Sequence, residues 1–199
     1  MKAILFDLDG TLLNRDASVK VFVEKQYERL HKYVGHISKQ QYTWRFIELD
    51  QRGYVWKDKV YAQLVQEFGL TTITSEQLLE DYLQQFQYSC VAFPNLMEML
   101  EALKQAGYKL GMITNGFGQF QMDNIKALQI ESFFDVILVS EWEGLKKPDA
   151  RIFLKALEQL QVAPCESIFV GDHPENDVKA AQQVGMKSVW KKDTGWCEV

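Results

Sequence analysis

The chain has 199 residues, 47% hydrophobic and 25% charged, an ordinary soluble globular composition with room for one large domain or a core carrying an insertion. Its net charge of −5, without a long basic run, argues against nucleic acid as a partner, and no apolar stretch approaches the length of a membrane span. Cys90, Cys165 and Cys197 follow no metal-binding or disulfide spacing and read as thiols of a reducing compartment, the cytoplasm. The first apolar stretch is too short for a signal peptide and ends in acids.

Residues 3–7, "AILFD", open the chain with a short apolar run that ends in Asp. Similar runs recur at 108–113, 135–139, 167–171 and 187–190, each with the length and branched residues of a buried parallel strand. Helical stretches lie between them at 95–106, 119–129, 149–160 and 175–184. Pro94 is placed as a first-turn residue of the first and Gly107 as its C-cap, while Gly185 follows the last. Strand alternating with helix predicts an α/β chain with right-handed crossovers and a doubly wound parallel sheet.

Residues 15–90 break this rhythm with helical stripes and no strand. Val23, Tyr27, Leu30 and Val34 share one helical face. Trp56, Val60, Tyr61, Leu64, Val65 and Phe68 form a second stripe, and Leu78, Leu79, Tyr82, Leu83 and Phe86 a third. The segment predicts a small helical bundle inserted after the first strand. Residues 1–14 and 91–199 then make the core.

Ligands of an open parallel sheet bind beyond the C-terminal ends of its strands. Here those ends read "DLDGT", "TNGFG", "SEWEGLKKPD" and "GDHPEND". Any one suits a turn, because Asp and Gly are common turn residues. Four of them on one sheet edge gather mutually repelling acids, which a hard divalent cation such as Mg²⁺ would hold together.

These four motifs, in this order, resemble those of haloacid dehalogenase-superfamily hydrolases. The resemblance implies a Rossmann-like core with a helical cap of the C1 type at residues 15–90. It makes Asp7 the nucleophile that takes up a phosphoryl group, a role open to a carboxylate because it is ionised at neutral pH. Asp9 becomes the general acid and then base, and also a Mg²⁺ ligand through its backbone carbonyl. Asp7 and Asp172 supply carboxylate oxygens to the metal, with Asp177 orienting that shell. Thr114 holds a phosphoryl oxygen, Asn115 and Gly116 form the turn that brings N–H groups to it, and Lys147 offsets charge. Gly10 and Thr11 shape the turn after the first strand, with Thr11 capping it. The superfamily's dehalogenases lack an acid at the Asp9 position, so Asp9 points to phosphoryl transfer.

The implied activity is Mg²⁺-dependent hydrolysis of a small phosphorylated metabolite, a nucleotide or sugar phosphate by its motif pattern. A phosphomutase of the same superfamily is the alternative. A signalling receiver domain fits worse, since its phosphoacceptor ends the third strand, and here that strand ends "VILVSE". Arg52, in "DQRGYVWKDK", is the candidate substrate contact of the cap. His173 reads as a hydrogen-bonded loop residue, and Glu141 and Glu143 as solvated. Asp135 and Asp149 read as turn or helix-start residues. Many relatives continue past the fifth strand, so a chain stopping at Val199 reads as a short member or a shortened chain.

Overall fold

The computed structural model describes residues 1–192, so Cys197 and the "DTGWCEV" end lie outside the described residues. The chain divides into two compact units: Met1–Asn14 with the chain from Ala92 onward, and Arg15–Val91.

The first unit holds the sheet. Among the described residues its strands are β1 (Ala3–Phe6), β2 (Lys109–Thr114), β3 (Val136–Val139), β4 (Ser167–Gly171) and β5 (Lys187–Trp190), in the order β3-β2-β1-β4-β5. All pairings are parallel: Ala3 lies opposite Lys109 on one side and Ser167 on the other. The chain moves from β1 outward to β3, then returns beside β1 and moves outward to β5. The direction reverses between β1 and β4, where an open sheet forms its crevice. Leu5, Ile113, Leu138 and Phe169 join Ile152, Phe153, Ala156 and Leu160 of helix α9 (Ala150–Leu160) in one apolar cluster. β5 departs from the expectation of a buried strand: among the described residues it lies at the edge of the sheet, and Val189 is 49% exposed.

Asp149 caps α9 by accepting the Arg151 N–H at 2.9 Å. Asp135, just before β3, accepts the Leu110 N–H of β2 at 2.7 Å and pairs with Lys104, so of the two acids only Asp149 starts a helix. Pro94 does not occupy a first helical turn. Asn95, left-handed at φ 61°, precedes the helix Leu96–Gln105, which places Pro94 outside it. The stretch expected as one helix over 175–184 begins as a wide π-helical turn, Pro174–Lys179, before Ala180–Gln183 turns α-helical.

The second unit contains α1 (Arg15–Arg29), α2 (His31–Val34), α3 (Lys39–Asp50), α4 (Lys57–Glu67) and α5 (Ser75–Gln85). Phe22, Val23, Tyr42, Phe46, Tyr61, Leu64, Leu78 and Tyr82 fill its interior, while Trp44 and Tyr54 are exposed at 62% and 61%. The aromatic residues of this unit are thus core in part and surface in part. Gln26 is fully buried at its centre. Its Oε1 accepts the hydroxyls of Tyr42 (3.2 Å) and Tyr61 (3.0 Å), and its Nε2 donates to the Leu78 carbonyl (3.2 Å) and Asp81 Oδ2 (2.9 Å). The ends of the unit are tied: Val91 N–H donates to Ser18 Oγ at 2.9 Å. No helix among the described residues is long and apolar enough to cross a membrane.

Candidate active site

β1 ends at Phe6, but Asp7 N–H still donates to the Val170 carbonyl at 2.9 Å, which holds Asp7 in line with the sheet. The chain then turns tightly: the Leu8 carbonyl accepts from Thr11 N–H (3.2 Å), Leu12 N–H (2.9 Å) and Leu13 N–H (2.9 Å). Gly10 has φ +81°, and a Cβ there would stand 2.4 Å from Asp172 Oδ2, so the turn needs glycine for both conformation and space. Thr11 does more than cap this turn. Its hydroxyl donates to Asp7 Oδ2 at 3.1 Å.

Asp7 Oδ1 accepts from Lys147 Nζ at 2.7 Å, and the same ammonium donates to Asp177 Oδ1 at 2.7 Å. All three side chains are buried. The second oxygen of Asp177 accepts the His173 N–H at 3.0 Å, so Asp177 stands behind the site with both oxygens engaged. One oxygen each of Asp7, Asp172 and Asp177 fall within 4.8 Å of one another. Burial pushes the Asp7 carboxyl well above the ordinary carboxylate range; Lys147 opposes that shift, while Asp177 and Asp172 add to it. Burial alone would lower the Lys147 pKa, but Asp177 and Asp7 outweigh it and hold the ammonium above its ordinary value. Three carboxyl groups around one ammonium make a buried, oxygen-lined group whose ionised form carries two net negative charges, a donor set that fits a hard divalent cation.

β2 delivers Thr114, fully buried, at the neighbouring strand end. The two residues after it bond to partners far along the chain. Asn115 Nδ2 donates to the Lys147 carbonyl and its Oδ1 accepts the Lys147 N–H, both at 2.9 Å, so the side chain clamps the Lys147 backbone. Gly116 N–H donates to Ser140 Oγ at 2.9 Å. Glu141 and Glu143 are not simply solvated either. Glu141 Oε2 accepts the Gly118 N–H at 2.6 Å, and Glu143 is ion-paired with Lys155.

Asp9 lies outside the acidic group. Its Oδ2 accepts from Gln121 Nε2 at 2.7 Å. Gln121, on α7 (Gly118–Ala127), was not marked by the sequence because no apolar period singles out a buried amide. Two more contacts come from the end of β5 and the residue after it: Trp190 Nε1 donates to the Asp172 carbonyl (2.8 Å), and Lys191 Nζ to the Gly10 carbonyl (2.7 Å). His173 is a hydrogen-bonded loop residue whose Nδ1 accepts the N–H groups of Glu175 (3.1 Å) and Asn176 (3.2 Å). Its pKa is lowered, chiefly by burial. Arg52 belongs to the helical unit. It sits in a 3₁₀ turn, Gln51–Gly53, with φ 57° and lies 3.7 Å from Asp16.

Comparison with known proteins agrees with this geometry. The model of the family described as haloacid dehalogenase-like hydrolase matches residues 4–191. The chain is 41% identical over 99 residues to a glyceraldehyde 3-phosphate phosphatase of Pyrococcus abyssi, a match covering 50% of this chain and 42% of that protein. It therefore spans less than half the length of that relative. A glyceraldehyde 3-phosphate phosphatase of Methanocaldococcus jannaschii is 36% identical over 206 residues, covering 95% of this chain and 84% of its own. Among solved structures, an HAD phosphatase from Thermococcus onnurineus superposes with a TM-score of 0.67 at 32% identity, over 100% of this chain and 89% of that one. The putative HAD-hydrolase YfnB from Bacillus subtilis, solved bound to magnesium, superposes at 0.74 with 23% identity over 95% and 86%, a likeness of fold. With its strand order, its four strand-end motifs and this match, the chain belongs to the haloacid dehalogenase-like hydrolase family.

Proposed function

We propose that the chain is a Mg²⁺-dependent phosphatase of small phosphorylated metabolites, acting through an aspartyl-phosphate on Asp7. The observation that carries this reading is the buried Asp7 carboxylate held by Lys147 and Thr11 beside Asp172 and Asp177. Relatives named glyceraldehyde 3-phosphate, phosphoserine and phosphoglycolate phosphatases support the substrate class. Cys90 and Cys165 as thiols support a cytoplasmic setting.

Asp7, Asp172 and the Asp9 backbone carbonyl would hold the metal, which when bound neutralises charge on the phosphoryl oxygens and on the acids. An Asp7 oxygen attacks phosphorus, the ester P–O bond breaks, and Asp9 gives its proton to the departing alkoxide. Water then attacks the phosphorus of the acyl phosphate, Asp9 takes a proton from it, and the P–O bond to Asp7 breaks to release phosphate. Lys147 keeps Asp7 aimed and offsets charge. Thr114 donates its hydroxyl to a phosphoryl oxygen. We take the Arg15–Val91 unit as the cap that selects the leaving group, with Arg52 as its contact; Arg52→Ala then raises KM and leaves kcat nearly unchanged.

The test is phosphate release with Mg²⁺ across glyceraldehyde 3-phosphate, phosphoglycolate, phosphoserine, sugar phosphates and nucleoside monophosphates, with Asp7→Asn alongside. Release by the wild type that disappears in Asp7→Asn supports the reading. No release from any ester, or release that survives the substitution, defeats it.

A further inference from the structure

Gln121 is a buried polar residue beside the proposed chemistry, 2% exposed on the first turn of α7. Its Nε2 donates to Thr114 Oγ1 at 2.6 Å and to Asp9 Oδ2 at 2.7 Å; the Asn115 carbonyl is farther, at 3.4 Å. A primary amide nitrogen carries two hydrogens, and the two short bonds use both. Asn124 Nδ2 approaches Gln121 Oε1 at 3.4 Å, so a donor faces the amide's oxygen end and its nitrogen end faces the site.

Two consequences follow. The Thr114 hydroxyl is an acceptor toward Gln121, so its single hydrogen is left to donate elsewhere. The two oxygens of Asp9 become unequal, since Oδ2 carries an N–H bond and Oδ1 is left for exchange with substrate. A second observation marks the same side chain. Gly116 has φ +154°, and a Cβ there would lie 2.8 Å from Gln121 Cγ and 2.9 Å from its Cδ. This glycine leaves the space that the Gln121 side chain fills.

We propose that Gln121 is a positioning residue that holds the Asp9 carboxylate and the Thr114 hydroxyl in one frame, so that the proton donor and the phosphoryl-binding hydroxyl keep a fixed relation. The inference rests on the phosphatase reading. Gln121→Met keeps the side chain's length and removes its donors, while Gln121→Asn keeps the donors and shortens the reach.

The experiment compares kcat/KM for an alkyl phosphate and for p-nitrophenyl phosphate with Mg²⁺. This ratio reports events up to the first irreversible phosphoryl transfer. The alkoxide needs a proton to leave and p-nitrophenolate does not. Loss of Asp9 positioning therefore lowers kcat/KM for the alkyl ester on the order of 10²-fold, and at least about 10-fold more than for the aryl ester, within the usual range for general acid catalysis. Both variants should show this split. Equal losses on both esters, or none, overturn the assignment. The second readout does not depend on activity: the Gln121 side-chain N–H₂ protons in a ¹⁵N spectrum. Asp9→Ala should move one of the pair and Thr114→Val the other. If neither moves, the bridge is wrong whatever the activity. A wild type that releases no phosphate from these two esters or from any ester of the panel above defeats the phosphatase reading, while the amide spectrum still decides the bridge.

Discussion

Lys147 Nζ stands 2.7 Å from Asp7 Oδ1 and 2.7 Å from Asp177 Oδ1, so one ammonium joins the acid that follows β1 to an acid beyond β4. Side-chain exposure is 2% for Lys147, 9% for Asp7 and 2% for Asp177, so water does little to screen the three charges. Replacing Lys147 by Met leaves two buried carboxylates facing each other without the cation. Removing one partner of a buried ion pair costs about 3–5 kcal/mol. Urea unfolding of Lys147→Met should show a loss of that size, and a loss under about 1 kcal/mol would mean the carboxylates are solvated.

The residual charge of the acidic group makes stability depend on the metal. Saturating Mg²⁺ should raise the melting temperature and a chelator should remove the gain. A ligand at a hundredfold over its Kd stabilises by about 2.7 kcal/mol. Asp172→Asn withdraws one oxygen anion from the group and should shrink the Mg²⁺-dependent shift. A thermal scan of wild type and variant with and without Mg²⁺ checks this, and an unchanged shift would remove Asp172 from the ligand set.

Gly171 ends β4 directly behind Asp177. A Cβ at this position would lie 2.4 Å from Asp177 Cβ and Cγ, a distance real side chains do not reach. Gly171→Ala should displace Asp177 from Lys147 and cost about 1–3 kcal/mol, the usual range for overpacking. Denaturant unfolding measures the loss, and phosphate release should fall with it.

Gln26 satisfies two tyrosine hydroxyls, a carbonyl and a carboxylate inside the helical unit. Gln26→Met removes the shared partner and leaves Tyr42 and Tyr61 with buried hydroxyls. Each orphaned group costs about 1–3 kcal/mol, so a total of about 2–6 kcal/mol is expected in urea. A triple variant that also makes Tyr42 and Tyr61 Phe should recover part of it.

Hydrogen bonds from Arg45, then from Gln63, hold the Glu67 carboxyl at about 2, against an ordinary 4.5. The folded state therefore binds fewer protons than the unfolded state between those values. The contribution is present above about pH 4.5 and is lost as the pH falls toward 2. A ¹³C carboxyl titration should place Glu67 near the lower value. Arg45→Met should return it toward 4.5 and flatten this part of the acid stability curve.

The parts of the fold that read clearly from sequence are those that depend on apolar period. The runs at 3–7 and 167–171 became β1 and β4 almost residue for residue, because a strand buried on both faces needs continuous branched side chains. The acids after them were visible because charge at the end of such a run is costly without a use. What escaped notice was satisfied polarity. Gln26 and Gln121 are amides in buried positions, and their hydrogen bonding depends on partners brought by the fold. Gly116 and Asn115 were visible as a turn, but the partner of each lies more than twenty residues away, so the turn's bonding was not readable locally.

The bond between Val91 N–H and Ser18 Oγ bears on how the sheet is assembled. β1 pairs with β2 across roughly a hundred residues, from Ala3 to Lys109, and closing so long a loop slows folding. A helical insert that folds first, with its two ends joined by that bond, shortens the floppy path between the strands to roughly thirty residues. By the logarithmic dependence of closure entropy on loop length, this lowers the cost of pairing β1 with β2 by about 1 kcal/mol. The insert thus acts as a clasp on the chain before the sheet exists, and loosening it by Ser18→Ala should slow refolding more than it hastens unfolding.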